Sequence, residues 1–152
     1  MTSLRNKLPT AARLLLGLSF FVFGLNGFLN FIPQPPPPPA AGAFAGALFA
    51  TGYMFPLIKG TEVLASLLLL SNRFVPLALA LLAPVLVNIV LFHTFLEPAG
   101  TLALPLVLLA LELYLARSYR DAFSSMLQAR TAPRSDAPVS GRPGATVQAH
   151  AS

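Results

Sequence analysis

The chain has no cysteine and no tryptophan, and only 10% of its 152 residues are charged. Without cysteine the polypeptide has no disulfide framework, thiolate metal site, c-type haem attachment or cysteine nucleophile, so any thiol chemistry belongs to a partner. Against 55% hydrophobic residues and a mean hydropathy of +0.71, so small a charged fraction argues against a water-soluble domain, where about a quarter of residues are charged. Also missing are a Ser-His-Asp arrangement, a Walker loop, a dinucleotide glycine fingerprint, an HExxH sequence and a paired-carboxylate hydrolase pattern. A stand-alone enzyme is therefore not expected. The net charge is +5, yet the basic residues stand at the ends of apolar runs rather than along one polar face, which excludes nucleic acid as the expected partner.

What is present in quantity is long apolar sequence. A bilayer core of about 30 Å needs about 20 apolar helical residues, and four stretches supply them: about 11–32, 41–70, 74–96 and 101–116. None shows the two-residue alternation of a membrane barrel, so the expected fold class is all-α, an integral membrane four-helix bundle. Arg5, Lys7 and Arg13 precede or open the first stretch, Arg73 separates the second from the third, and Arg117, Arg120, Arg130, Arg134 and Arg142 follow the fourth. The other two loops have no Lys or Arg. Positive charge stays in the cytoplasm, so both termini are expected there, in a multi-pass membrane protein. A cleaved signal peptide is the competing reading of the first stretch; its length, its Asn26 and Asn30, and the charge alternation favour an uncleaved helix.

Residues 1–10 form a basic arm, and Pro33 to Pro39, interrupted only by Gln34, form an outer loop of extended polyproline character. Residues 129–152 have almost no large apolar side chains and read as a disordered cytoplasmic tail. Small residues at Gly17 and Gly24 in the first stretch, and at Gly42, Gly46 and Ala50 in the second, predict faces that a neighbouring helix approaches closely. Pro56 and Pro84 predict kinks in the second and third.

The informative residues are polar groups at depth, because insertion of Lys or Asp at mid-span costs about 2.5 to 3.5 kcal/mol. Lys59 and Glu62 sit about 20 and 15 Å from the end of their helix near Asn72, on one face and three residues apart. Ser66 continues that stripe. Ser19, Phe23, Asn26 and Asn30 share a stripe of the first helix, read as its inward face, and Asn88 joins at the same depth from the third. The expected ligand pocket is Asn26, Asn30, Lys59, Glu62 and Asn88, with His93 nearer the outer interface about 140° round the helix from Asn88, and Glu112 as a secondary candidate close to the other interface. The plainer reading of each residue is structural: a neutralised pair fixing helix rotation, and asparagines as interhelical contacts. His150 lies in the tail, so one chain does not supply two axial histidines to a b-type haem.

The order of features resembles the DoxX family of small four-span membrane proteins. The resemblance rests on RLLLGLSFFVFGLNGF at Arg13 to Phe28, on KGTEVLASLLLLSNRFVPLAL at Lys59 to Leu79, and on APVLVNIVLFH at Ala83 to His93. It covers roughly Ala11 to Tyr119; the proline run is a departure from the family's shorter loop. It implies a four-helix bundle of the bacterial inner membrane, and it implies association with membrane redox complexes, the founders being associated with a thiosulfate:quinone oxidoreductase. The expected function is a membrane subunit of a quinone-linked oxidoreductase complex, with quinone in the polar pocket, no covalently bound cofactor and no metal. The partners are then the lipid bilayer, an oxidoreductase subunit and a second copy in a homo-oligomer. The alternatives are a non-catalytic anchor or assembly scaffold and, more remotely, a small-solute carrier.

Overall fold

A computed structural model describes residues 2–124; the tail assigned to 129–152 lies outside the described residues. Six α-helices account for most of that length: α1 Thr2–Leu29, α2 Pro39–Ala50, α3 Met54–Leu70, α4 Val75–Phe95, α5 Ala103–Ser118 and the short α6 Arg120–Phe123, with a 3-10 turn at Ala99–Leu102 before α5. Among the described residues there is no strand. The segments Lys7–Leu29, Val75–Phe95 and Ala99–Ser118 are each long and apolar enough to cross a membrane. α1 begins ahead of the expected basic-arm boundary and accommodates Pro9 within its length.

The second apolar stretch is not one helix. It divides at Thr51–Tyr53 into α2 and α3, whose axes are bent by 93°. Gly52 at φ +75 makes the turn, a left-handed conformation that costs glycine little. The Thr51 hydroxyl secures both sides, donating to the Leu48 carbonyl at 2.7 Å and accepting from the Met54 amide at 3.0 Å. Pro56 falls in the first turn of α3, where its missing N–H is no loss, so the expected kink at Pro56 is replaced by a break a few residues earlier. Phe49 and Phe55 stack across the corner with centroids 3.9 Å apart, and α4 continues as a helix through Pro84.

The most extensive interface joins α1 to α3, and glycine makes it close. A Cβ on Gly17 would lie 3.1 Å from Leu70 Cγ, and one on Gly24 would lie 2.9 Å from Val63 Cγ2. The expected role of these two glycines is what the backbone shows. The expected Gly42–Gly46 face differs: nothing lies within 4 Å of a Cβ on Gly46, and Gly42 meets only Pro37. The inward face of α1 also differs from the expected polar stripe. Ala12, Arg13, Leu16 and Phe20 are buried, while Phe23 and Asn30 are exposed. Apolar side chains won this face because they fill the core formed with Ala65, Leu69, Ala78, Leu82, Leu86, Leu108 and Leu115.

The turn from α3 to α4 closes as a paired helix cap. Arg73 N–H donates to Leu68 O at 3.0 Å and Asn72 N–H to Leu69 O at 3.1 Å, with Asn72 left-handed at φ 56; this is the Schellman pattern. Arg13 reinforces the same end. Its guanidinium, buried, donates to the carbonyl of Leu69 and to that of Leu70 at 3.3 Å, placing a cation where a helix C-terminus favours one. Around this bundle, large apolar side chains face outward from every long helix, among them Leu14, Leu18, Leu57, Leu64, Leu77, Val87, Leu106 and Leu113.

Candidate functional site

Glu62 stands at the middle of α3, and the three-residue spacing brings Lys59 to it on the same face. Lys59 Nζ donates to both carboxylate oxygens, at 2.9 and 3.1 Å. The two side chains differ in exposure: 21% for Lys59 and 2% for Glu62. The aliphatic stem of Lys59 crosses α1 at Gly27, where an added Cβ would lie 2.6 Å from its Cδ. Ser66, one turn on, is buried and donates to Val63 O at 2.7 Å within its own helix.

Two cavities flank this pair. One, of about 400 Å³, lies between α2, α3 and α4; Lys59, Glu62, Asn88 and His93 line it together with Phe44, Phe55 and Phe92. That volume falls in the range of small-molecule sites, as does the composition of apolar walls with a few polar groups. The other, of about 260 Å³, lies between α1, α3, α4 and α5, and includes Lys59, Glu62 and His93 again with Phe23, Gln34 and Thr101. The ion pair and His93 therefore stand between two chambers. α2 owes its position on the larger one to the 93° corner and to Phe44, whose ring meets Phe92 at 5.7 Å.

His93 has a defined tautomer in its neutral form. Its Nδ1 lies 2.8 Å from Ile89 O, and a carbonyl only accepts, so Nδ1 carries the hydrogen and Nε2 is the ring's acceptor. The larger chamber thus offers a cationic donor at Lys59, an amide at Asn88 and an acceptor at His93 on a mainly aromatic and aliphatic wall. Such a set can hold the head of an amphiphile with carbonyl or hydroxyl groups. Among the described residues no group of three or more His, Cys, Asp and Glu side chains is placed to hold a metal ion.

The structure gathers four of the six pocket residues expected from sequence. Asn26 and Asn30 line neither chamber. Asn26 Oδ1 accepts from Ile32 N–H at 2.7 Å, its carbonyl accepts from Asn30 N–H at 2.8 Å, and Asn30 is left-handed at φ 50; together they form the turn out of α1. Glu112 lies elsewhere, on α5 beside a separate crevice against α4. Sequence reasoning took Arg13 only as a topology signal. The clue was its position one turn before Leu16 and Gly17, on the face α1 presents to α3. Also overlooked were Gly27, whose role depends on the Lys59 stem crossing α1 there, and the aromatic wall of Phe44, Phe55 and Phe92, which forms only once α2 turns against α4.

No protein-family model matches the chain, and no solved structure matches it. The uncharacterized protein YwoB of Bacillus subtilis strain 168 is 33% identical over 98 residues, covering 60% of this chain and 64% of that protein. The chain thus spans less than two thirds of the length of this relative, whose name states no activity.

Proposed function

We propose that this chain is a DoxX-family protein of the bacterial inner membrane and the membrane subunit of a quinone-linked oxidoreductase complex, with the larger chamber receiving the quinone head. The observation that carries this reading is the apolar chamber of about 400 Å³ with Lys59, Glu62, Asn88 and His93 on its wall. Membrane placement is supported by three helices of spanning length and by the outward leucines and valines, which in a soluble monomer would form an apolar surface far beyond the usual few hundred Å². α3, about 25 Å long, nearly matches the hydrocarbon core by itself, and α2 folds back at its outer end to wall the chamber. Arg13, Arg73 and Arg117 gather at the opposite end, which supports cytoplasmic termini.

In this reading the quinone body rests on the three phenylalanines, Lys59 or Asn88 donates to a carbonyl, and His93 Nε2 accepts from a hydroxyl. Electrons come from the partner subunit. The test is binding of a short-chain ubiquinone to the protein in lipid nanodiscs. Saturable binding is expected, weakened about tenfold or more by Lys59→Met for the quinone and by His93→Leu for the reduced ubiquinol, whose hydroxyl Nε2 accepts from; this is the worth of one hydrogen bond involving a charged or buried polar group. Binding that does not saturate, or that ignores both substitutions, refutes it.

One observation favours the scaffold reading. Lys59 satisfies both oxygens of Glu62 and packs its stem on Gly27, so the pair also fixes how α3 sits on α1. Under that reading alone the substitutions lower stability while an oxidoreductase subunit still co-purifies and no quinone is retained.

A further inference from the structure

Glu112 is left without a part in the quinone site, and its surroundings are unusual. It is 5% exposed, and neither of its carboxyl oxygens has a hydrogen-bond partner, a condition no other buried side-chain nitrogen or oxygen shares among the described residues. It faces a crevice of about 210 Å³ between α4 and α5, bordered by Ala80, Ala83, Ala116, Val87 and Leu113 and closed by Phe123 of α6. No other residue of that lining is charged or titratable.

Nor, among the described residues, do the neighbouring elements offer a counter-charge. On α1 the Arg13 guanidinium is committed to the Leu69 and Leu70 carbonyls, and Lys7 is exposed. α4 presents no ionisable side chain to the crevice. On α5, Tyr114 and Arg117 are exposed, as are Arg120 and Asp121 of α6, which pair with each other at 3.6 Å; Tyr119, between the two helices, is partly buried. The ion pairs among the described residues do not include Glu112.

An ionised carboxylate held this way, in hydrocarbon and without a donor, costs several kcal/mol that no group among the described residues offsets. We propose that Glu112 is a proton-binding site: its carboxyl is carried as the neutral acid, reached from the acyl phase through the α4–α5 crevice, and loaded from the basic end about 7 Å away along the helix. The inference rests on the bilayer placement of the bundle and is independent of the quinone reading.

Dicyclohexylcarbodiimide tests it on the full chain in native membranes, with the adduct mapped by peptide mass spectrometry. The reagent adds a protonated carboxyl across one C=N bond, and the O-acylisourea rearranges to a stable N-acylurea with nothing leaving. The expected result is one adduct at Glu112, falling as pH rises, with ion-paired Glu62 unlabelled and no labelling of Glu112 by a water-soluble carbodiimide. A second readout is the infrared carbonyl band of a protonated carboxyl, present in the wild type and lost in Glu112→Gln; the labelling needs no variant and stands if that one fails to fold. Failure to label Glu112 where the denatured chain labels there overturns the proposal. So does equal labelling by the water-soluble reagent, which would mean an open aqueous group. Labelling only after detergent extraction overturns it as well, by showing a cationic partner helix over the carboxylate in the membrane. Protease or reagent accessibility of the termini in oriented vesicles checks bilayer placement separately.

Discussion

Substituting Lys59 by methionine removes the sole hydrogen-bond donor, among the described residues, to a carboxylate that is 2% exposed, while substituting Glu62 by glutamine leaves an ammonium that is 21% exposed and still faces an amide oxygen. The two halves of the pair are therefore not equivalent. Stranding a buried charge costs about 3 to 5 kcal/mol, so Lys59→Met is expected to lower stability by about 3 kcal/mol, roughly a hundredfold in the folding equilibrium. Glu62→Gln keeps a neutral acceptor, and the lysine can extend its head toward water; about 1 to 2 kcal/mol is expected, the worth of downgrading a charge-assisted hydrogen bond. The double variant Lys59→Met with Glu62→Leu strands nothing and is expected to recover most of the loss, as buried pairs replaced by apolar residues do. Reversible unfolding in mixed micelles measures all three and, with Glu62→Leu alone as the fourth corner, gives the coupling energy by a double-mutant cycle. Equal losses for Lys59→Met and Glu62→Gln, or a double variant whose loss is the sum of those of Lys59→Met and Glu62→Leu, refute the reasoning.

Other substitutions separate the parts of the fold. Gly24→Ala sets a methyl 2.9 Å from Val63 Cγ2 and 3.3 Å from the Val63 backbone nitrogen, so overpacking of about 1 to 3 kcal/mol is expected in the same unfolding assay; Gly46→Ala meets nothing within 4 Å and is expected to be neutral or slightly stabilising. Gly52→Ala forces a side chain onto φ +75 and is expected to cost about 1 to 2 kcal/mol, with loss of the Phe49–Phe55 stack detectable in near-ultraviolet circular dichroism. Arg13→Met removes the guanidinium from the α3 carbonyls and is expected to cost about 1.5 to 3 kcal/mol, with faster amide exchange at Asn72 and Arg73; Arg13→Lys is expected to restore part of it.

The order of apolar runs was legible because spanning length is a property of composition over about 20 residues. The shared face and depth of Lys59 and Glu62 were legible for a similar reason, from their i to i+3 spacing on a helix; that they bond each other rather than separate partners was not. The corner at Thr51–Tyr53 was not, since hydropathy counts apolar residues without regard to chain direction, and the turn rests on one glycine and one hydroxyl. That the stretch at 41–70 exceeds a single bilayer crossing was the available hint. Asn26 and Asn30 read as partners at the depth of Lys59, but short amides also satisfy local backbone groups, and at the end of α1 that use won. His93, a pocket candidate about 140° round its helix from Asn88, reaches the same chamber as Asn88 because the fold of α2 wraps that chamber around α4. Arg13 escaped notice because a cation near a helix start suits the topology rule equally well whether it faces water or a neighbouring C-terminus.

The central claim is that the chamber beside Lys59 and Glu62, rather than the outward apolar surface, receives the amphiphile. Photolabelling in nanodiscs with an azido-quinone, mapped residue by residue and competed with unlabelled quinone, tests it most directly. The account predicts competable adducts confined to Phe44, Phe55, Asn88 and Phe92. Adducts spread over outward residues such as Leu14, Leu57 and Leu113 in proportion to their exposure, and insensitive to competition, would contradict it.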